Sequence, residues 1–220
     1  IRDAARELDI LFVDDEVITG SGRTGPMFAC DDEGVDPDLM TLAKGLTSGY
    51  IPMGATLLSE KVYSGIADGA PSGALIGHGA TYSGHPVAAA VALEVIRIYQ
   101  EGGMLQHAQS VARRFGQALD SVAAHPLVGD VRYRGLLGAV ELVSDKASKR
   151  GFDPALGLAD RISRIAYANK LVIRSFNDQI LGFAPALCIT LDECDMLGER
   201  LRRTLDDVLA LDEVKAALAD

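Results

Sequence analysis

The chain has 220 residues, of which 48% are apolar and 24% charged, and its formal net charge is −10 at pH 7. This balance is typical of a globular protein that can bury a core, and the acidic excess argues against nonspecific nucleic-acid binding, which needs basic patches to neutralise phosphates. No apolar run approaches the roughly eighteen residues of a membrane span, and the first residues do not resemble a signal peptide, so we expect a cytoplasmic protein.

The first part of the chain alternates short apolar runs with a glycine-rich loop. Residues 1–8 resemble the end of a helix. Three apolar runs are typical of buried parallel strands, at 10–13, 39–43 and 52–58. Pro86 begins a helix predicted over 86–99, which two glycines end, since proline fits the first helical turn and glycine the end. Its apolar residues lie nearly all round, so we expect this helix to be buried.

The second part of the chain predicts a lobe of mixed helices and strands with a small antiparallel sheet. The predicted elements are helices over 104–123 and 155–169, strands over 128–134 and 136–143, and apolar runs at 171–174, 179–183 and 187–190. Thr190 and Glu193 fit a capping box ahead of a helix over 191–209. The pattern indicates an α+β lobe.

Cysteines and histidines give no indication of a metal site. The three cysteines, Cys30, Cys188 and Cys194, are odd in number and are not spaced for zinc, so free thiols in a reducing compartment explain them most simply. The histidines form no ligand pattern either; they are His78, His85, His107 and His125. We therefore predict no metal.

Lys44 and Asp15 carry the best indication of function. Lys44 follows an apolar run and has small or apolar neighbours, so we expect it to be shielded from water, which would favour the neutral, nucleophilic amine. Asp15 follows another apolar run and would lie at the carboxyl end of a parallel strand, where open α/β sheets bind ligands. An imine-forming amine and a buried carboxylate that keeps a ring nitrogen protonated are the groups that a pyridoxal phosphate enzyme brings to its coenzyme. Taken alone, the pair also fits a surface lysine and a loop acid.

Three segments, in the order LFVDDEVITGSGRTG, DPDLMTLAKGLTSGYIPMGA and HGATYSGHPVAAAVALEVI, resemble the class III (omega) aminotransferases. These are fold-type I enzymes that use pyridoxal 5'-phosphate. The resemblance implies an α/β fold in which residues 1–104 form the C-terminal part of the coenzyme-binding large domain, with a mostly parallel sheet and helices. Residues 105–220 would form a small C-terminal α+β domain. The implied reaction is a transaminase that moves an amino group from an amine or omega-amino acid to an oxo acid such as pyruvate.

The resemblance also implies roles for single residues. Asp15 would pair with the pyridine nitrogen, and Val17 would contact one face of the ring. Lys44 would form the internal aldimine and then move the proton between Cα and C4′. Thr81, with Ala80 beside it, matches the threonine that reaches the coenzyme phosphate of the neighbouring subunit. The family is therefore expected to form homodimers.

Arg174 occupies the place where many omega-aminotransferases keep a mobile arginine for a substrate carboxylate. A guanidinium suits that task because it binds carboxylates through two parallel hydrogen bonds. A plain surface arginine is an equally good interpretation of this position.

The chain also departs from the family pattern. Its length is about half of what a family member needs, and the upstream phosphate loop, ring-stacking aromatic residue and acidic residue near the coenzyme oxygen are missing. We therefore expect the C-terminal half of a longer polypeptide, with little or no transaminase activity by itself. Two alternatives stay open: an enzyme like the glutamate-semialdehyde aminomutases, which share these motifs, and an inactive fragment that serves as a binding or structural module.

Gly20, Gly22 and Gly25 match the G-x-G-x-x-G pattern of dinucleotide-binding units. In those units the glycines follow the strand immediately and lead into a helix. Here the residues 14–19 intervene, and Pro26 and Gly34 follow before a helix of normal length could form. The sequence therefore favours a loop whose glycines permit positive φ and close packing over an NAD-dependent oxidoreductase.

Overall fold

The computed structural model describes residues 1–69, 71, 79–176 and 179–219. The chain divides into two compact units, Ile1–Leu105 and Gln106–Asp220. Among the described residues, no helix combines the length and the apolar character needed to cross a bilayer. His78, the first residue of the motif around Thr81, lies outside the described residues.

The first unit is built on a three-stranded sheet in the order β1–β2–β3. Its strands are β1, Val13–Asp15; β2, Leu39–Leu42; and β3, Ala55–Leu58. All three predicted apolar runs thus contribute a strand. β1 pairs with β2 in parallel, as expected, but β2 pairs with β3 in antiparallel. The parallel prediction for β3 is wrong because the β2–β3 connection holds only a short 3₁₀ turn and lacks the crossover helix that a parallel pair usually needs.

The strands of the first unit are also less buried than predicted. The exposed fraction is 54% for Val13 and 47% for Leu57. An apolar run predicts that a strand will be buried, but it does not identify the residues that bury it. Within the described residues, these side chains are left uncovered.

Five helices belong wholly or partly to the first unit of the described chain. They are α1, Arg2–Glu7; α2, Ala29–Glu33; α3, Glu60–Gly69; α4, Pro86–Glu101; and α5, Met104–Asp120, which crosses the unit boundary. The helices predicted at 1–8, 86–99 and 104–123 are confirmed, whereas α2 and α3 were not predicted.

Helix α4 is buried on one side only. The buried residues recur every three or four positions and are Ala88, Ala92, Val95 and Tyr99. Leu93, on another side, is 69% exposed. The prediction of a helix buried all round is therefore wrong, because within the described part of the unit α4 packs mainly against the 3₁₀ turn Lys44–Thr47.

The second unit is a four-stranded antiparallel sheet, in the order β4–β5–β7–β6, packed with helices. Its strands are β4, Val128–Arg134; β5, Leu137–Leu142; β6, Arg174–Ser175; and β7, Ile180–Phe183. Its helices after α5 are α6, Leu158–Ala168; α7, Leu191–Leu209; and α8, Asp212–Ala219. The predicted antiparallel sheet and the helices at 155–169 and 191–209 are confirmed, and α8 was not predicted.

The start of α7 shows how local sequence sets an element boundary. The Thr190 hydroxyl accepts a hydrogen bond from the Glu193 backbone N–H at 3.2 Å, and the Glu193 carboxylate accepts one from the Thr190 N–H at 2.8 Å. This is the predicted capping box. The apolar run 187–190 just before it forms no strand, so its expected place in the small sheet is wrong, because a turn closed by the hydrogen bond from the Ile189 N–H to the Ala186 carbonyl leads into α7.

The main hydrophobic core lies in the second unit. Helices α5, α6 and α7 bury side chains against the sheet, and the largest fully buried helix residues include Phe115, Leu119, Ile162, Leu201 and Leu205. Leu181 of β7 is fully buried as well. The sheet contributes Val140 and Leu142 from alternate positions of β5. The second unit is therefore well packed by its own residues.

Candidate active site

Asp15 and Lys44 lie at the ends of two neighbouring parallel strands. Asp15 is the last residue of β1 and is in register with Thr41 of β2. β2 ends at Leu42, and Lys44 begins the 3₁₀ turn Lys44–Thr47 directly afterwards. Because the carboxyl ends of parallel strands meet at one edge of a sheet, the carboxylate and the amine belong to the same edge.

Asp15 is oriented by two hydrogen bonds to one of its oxygens. Oδ1 accepts a hydrogen bond from the Thr41 hydroxyl at 3.0 Å and from the Val17 backbone N–H at 3.1 Å. Oδ2 makes no hydrogen bond to any residue that the structure describes. The side chain is exposed, so the expected burial of this carboxylate is not met by the chain's own residues. Asp15 thus offers a held, outward-facing acceptor.

Lys44 is also exposed and has an unusual backbone. Its φ is +43°, in the left-handed region, where a residue with a Cβ costs about 1–2 kcal/mol. Its amine forms no hydrogen bond or ion pair with any described residue. The predicted shielding of Lys44 from water is wrong for this chain, because its side chain is exposed even though α4 packs against the same turn. A nucleophilic amine at a sheet edge is available for covalent chemistry.

The glycine-rich loop packs closely against the turn that begins at Lys44, and Gly45 is the residue at which they meet. A Cβ on Gly45 would lie 2.5 Å from the Cβ of Ser21, so the loop and the turn approach too closely for any other residue. Gly22 and Gly25 have φ of +83° and +125°. The predicted loop with positive φ and close packing is confirmed. After Gly25, the next helix, α2, begins only at Ala29 and has five residues, which does not fit a dinucleotide-binding unit.

Glu16 fixes this loop through hydrogen bonds to its buried carboxylate. The sequence assigned it no role. Its side chain is only 2% exposed, and its carboxylate accepts hydrogen bonds from the Cys30 N–H at 2.9 Å and from the Thr19 hydroxyl. A buried carboxylate needs such donors. The signal in the sequence was the position of Glu16 after β1, one residue beyond Asp15, where alternation along the chain turns its side chain inward.

Asp14 and Cys30 complete a group of possible ligand atoms with Glu16, all within 4.8 Å of one another. Burial raises the pKa of the Asp14 carboxyl, and the nearby Glu16 charge raises it further. Burial, with the same acidic neighbours, raises the pKa of the Cys30 thiol to about 12. A protonated thiol and a Glu16 already engaged by protein donors favour a hydrogen-bonded cluster over a metal site.

Thr81 and Ala80 lie in an exposed turn just before α4. The Ser83 N–H donates to the Ala80 carbonyl at 2.9 Å, and the Ala80 N–H donates to the Ser83 hydroxyl at 3.1 Å. No described contact joins this turn to Asp15 or Lys44. His85, which follows, accepts a hydrogen bond from the Ala88 N–H and so caps α4.

Val17 and Arg174 occupy different parts of the chain. Val17 is half-buried in the turn after β1, and its N–H holds Asp15. Arg174 belongs to the second unit, at the start of the edge strand β6, where it is exposed. Its guanidinium lies 5.1 Å from the centre of the Phe176 ring. An arginine held over an aromatic ring keeps its donors free for an anion.

The arrangement of the first unit has counterparts in known proteins. A family model described as Aminotransferase class-III matches residues 1–205. The chain belongs to the class-III aminotransferases. This family depends on pyridoxal phosphate, so the resemblance seen in the three sequence motifs and the predicted coenzyme class are confirmed.

The individual relatives agree with this assignment. The chain is 42% identical over 220 residues to an uncharacterized aminotransferase, y4uB, of Sinorhizobium fredii. The matched region covers 98% of this chain and 47% of that protein. It also matches an (S)-enantioselective omega-transaminase from Thermomicrobium roseum, with a TM-score of 0.89, 39% identity, and coverage of 94% of this chain and 45% of that one. A third match is the omega-transaminase from Pseudomonas jessenii in complex with PMP, with a TM-score of 0.88, 40% identity, and coverage of 95% and 46%.

The structural matches confirm the predicted fold class, an α/β transferase of the type that binds pyridoxal phosphate. The chain spans about half the length of the curated relatives it matches. The residues at the β1–β2 edge fit the coenzyme, because Asp15 offers a free carboxylate oxygen for a ring N–H and Lys44 offers a free amine for an aldehyde.

Proposed function

We propose that this chain supplies Lys44 and Asp15 to the active site of a pyridoxal phosphate-dependent transaminase. The observation that carries the proposal is the position of both residues at the carboxyl ends of the adjacent parallel strands β1 and β2. Membership of the class-III aminotransferases supports the reaction class.

Asp15 holds the coenzyme ring in this proposal. Thr41 and Val17 engage Oδ1, so Oδ2 is directed to the ring N–H. A carboxylate next to that N–H favours the protonated nitrogen. When bound, the coenzyme withdraws electrons from the substrate α-carbon, and the protonated nitrogen strengthens that withdrawal. Val17, next to Asp15 in the chain, packs against one face of the ring.

Lys44 has two tasks in this proposal. Its Nζ would hold the coenzyme through the aldehyde carbon, with release of water, and the amine, once freed by the substrate amine, would carry a proton from the substrate α-carbon. Both tasks need a site that excludes water. The exposure of Lys44 within this chain supports the prediction that the chain alone has little or no transaminase activity.

We also propose that the enzyme is a homodimer in which Thr81, with Ala80, reaches the coenzyme phosphate of the neighbouring subunit. Thr81 lies in an exposed turn at the start of α4, and α4 presents uncovered apolar residues next to it, with Val87 56% and Leu93 69% exposed. Contiguous exposed apolar surface is typical of an interface.

The proposed substrates are an amine or omega-amino acid as donor and an oxo acid such as pyruvate as acceptor. Arg174 is the proposed carboxylate-binding residue. Its exposed guanidinium, which lies over the Phe176 ring, binds a carboxylate through two parallel hydrogen bonds in this proposal.

Transfer of an isotopically labelled amino group tests the proposed function. The protein in its full natural length, loaded with coenzyme, should move the label from an amine donor to pyruvate and release an oxo product. Lys44→Ala should abolish transfer, whereas Lys61→Ala should retain it, since Lys61 is an exposed lysine paired with Asp9. Transfer that survives Lys44→Ala would contradict the proposal, and rearrangement of one substrate without an oxo product would indicate an aminomutase instead.

A further inference from the structure

The turn that carries Lys44 is held from two sides by residues with no assigned role. Lys44, which begins the turn, and Ser48, which directly follows it, have φ of +43° and +51°. Side chains with a Cβ rarely adopt this conformation, so the surrounding structure must impose it. Gly45 lies between these two residues, and it is the residue of the turn that the neighbouring segments contact.

Tyr99 contacts the turn from α4. Its hydroxyl donates a hydrogen bond to the Gly45 carbonyl oxygen at 2.8 Å, and the side chain is only 4% exposed. Burial raises the pKa of the Tyr99 phenol, which keeps the donor proton in place. Because α4 packs mainly against this turn, the hydrogen bond ties the turn to a rigid helix.

Ser21 contacts the turn from the glycine-rich loop. The position of a Cβ on Gly45 would be 2.5 Å from the Ser21 Cβ and 2.7 Å from its Oγ. Ser21 is buried, and its loop is fixed by the buried Glu16 carboxylate. The turn can therefore neither move toward the loop nor accept a larger residue at position 45.

We propose that Tyr99 and Ser21 are positioning residues for Lys44. Together they hold Gly45 and thereby fix the left-handed backbone from which the Lys44 amine projects at the edge shared with Asp15. The inference rests on the proposed function of Lys44, and it adds that the geometry of the amine is set by the hydrogen bond on one side and by steric contact on the other.

The first test compares Tyr99→Phe with Tyr133→Phe in the protein of full natural length. Tyr133 is a matched control because its hydroxyl also donates a hydrogen bond, to Asp120 at 2.8 Å, but in the second unit. The readouts are the dissociation constant of pyridoxal phosphate, the pH midpoint of its near-visible absorbance, and the thermal unfolding midpoint. Loss of one such hydrogen bond should weaken coenzyme binding by about threefold to tenfold.

Tyr99→Phe should also shift the pH midpoint of the absorbance, because the Lys44 amine is then held in a different environment. Tyr133→Phe should change neither the coenzyme affinity nor the pH midpoint. A merely structural role for Tyr99 would lower the unfolding midpoint and leave the coenzyme affinity and the pH midpoint as in the wild type. That result would overturn the proposal for Tyr99.

The second test uses a compensating pair and does not depend on how well Tyr99→Phe folds. Gly45→Ala should weaken coenzyme binding, because its Cβ meets Ser21. Adding Ser21→Gly should restore binding, because both clashing atoms are removed and Ser21, with φ of +60°, already has a backbone that suits glycine. Failure of Ser21→Gly to restore binding would overturn the steric part of the proposal.

The wild-type protein separates this inference from the function on which it rests. If pyridoxal phosphate does not bond to Lys44 in the wild type, both fall. If it does, and the Tyr99 and Gly45 variants bind coenzyme as the wild type does with unchanged pH midpoints, only the positioning roles are overturned.

Discussion

The Thr41 hydroxyl donates a hydrogen bond of 3.0 Å to Asp15 Oδ1 across the parallel pair β1–β2. The two residues are also register partners in the sheet. One hydrogen bond therefore links the strand that ends in the carboxylate to the strand that leads to Lys44. The proposed coenzyme site depends on this link, because it fixes which oxygen of Asp15 faces outward.

Thr41→Val should weaken coenzyme binding by about twofold to tenfold, since one hydrogen bond to the carboxylate is lost while the β-branched shape is kept. Absorbance titration with pyridoxal phosphate measures the effect. Thr56→Val, on the exposed partner position of β3, is the control and should bind coenzyme normally. Equal affinities for the two variants would show that the Thr41 hydroxyl does not orient Asp15.

Asp14→Asn should raise the thermal unfolding midpoint at neutral pH. The folded protein raises the Asp14 pKa above its ordinary value of 3.8, mainly through burial, so the charged form is disfavoured in the fold. The wild type therefore loses stability as the pH rises from below 3.8 through the raised pKa, and the uncharged variant does not. Unfolding midpoints of both proteins are measured across this pH range, and the midpoint of Asp14→Asn should exceed that of the wild type by more as the pH rises. A difference that stays constant or shrinks would contradict the prediction.

Leu201→Ala should lower the free energy of unfolding by about 2–5 kcal/mol, because it opens a cavity in the core of the second unit. Leu201 is fully buried, whereas Leu191, on the same helix α7, is 53% exposed. Leu191→Ala should therefore cost much less. Denaturant unfolding compares the two variants, and similar losses would mean that α7 does not pack as described.

The sequence alone located the local features well. Short apolar runs followed by Asp15 and Lys44 placed both residues at strand ends, and the Thr190 capping box placed the start of α7. These features depend on neighbours in the chain. The family motifs then supplied the coenzyme, which composition and periodicity could not.

The remaining features depend on contacts between distant residues. The antiparallel pairing of β3, the one-sided burial of α4 and the exposure of Lys44 follow from what does or does not cover an element, which apolar patterning leaves open. The contact of Gly45 with Ser21 and Tyr99 joins three separate segments, so no local pattern announces it.

Covalent trapping of the coenzyme tests the central proposal most directly. The protein in its full natural length is loaded with pyridoxal phosphate, reduced with borohydride, digested and mapped by mass spectrometry. We predict that the reduced coenzyme is attached to Lys44 and that Lys44→Arg removes the label. A label on another lysine, or none in the wild type, would contradict the account.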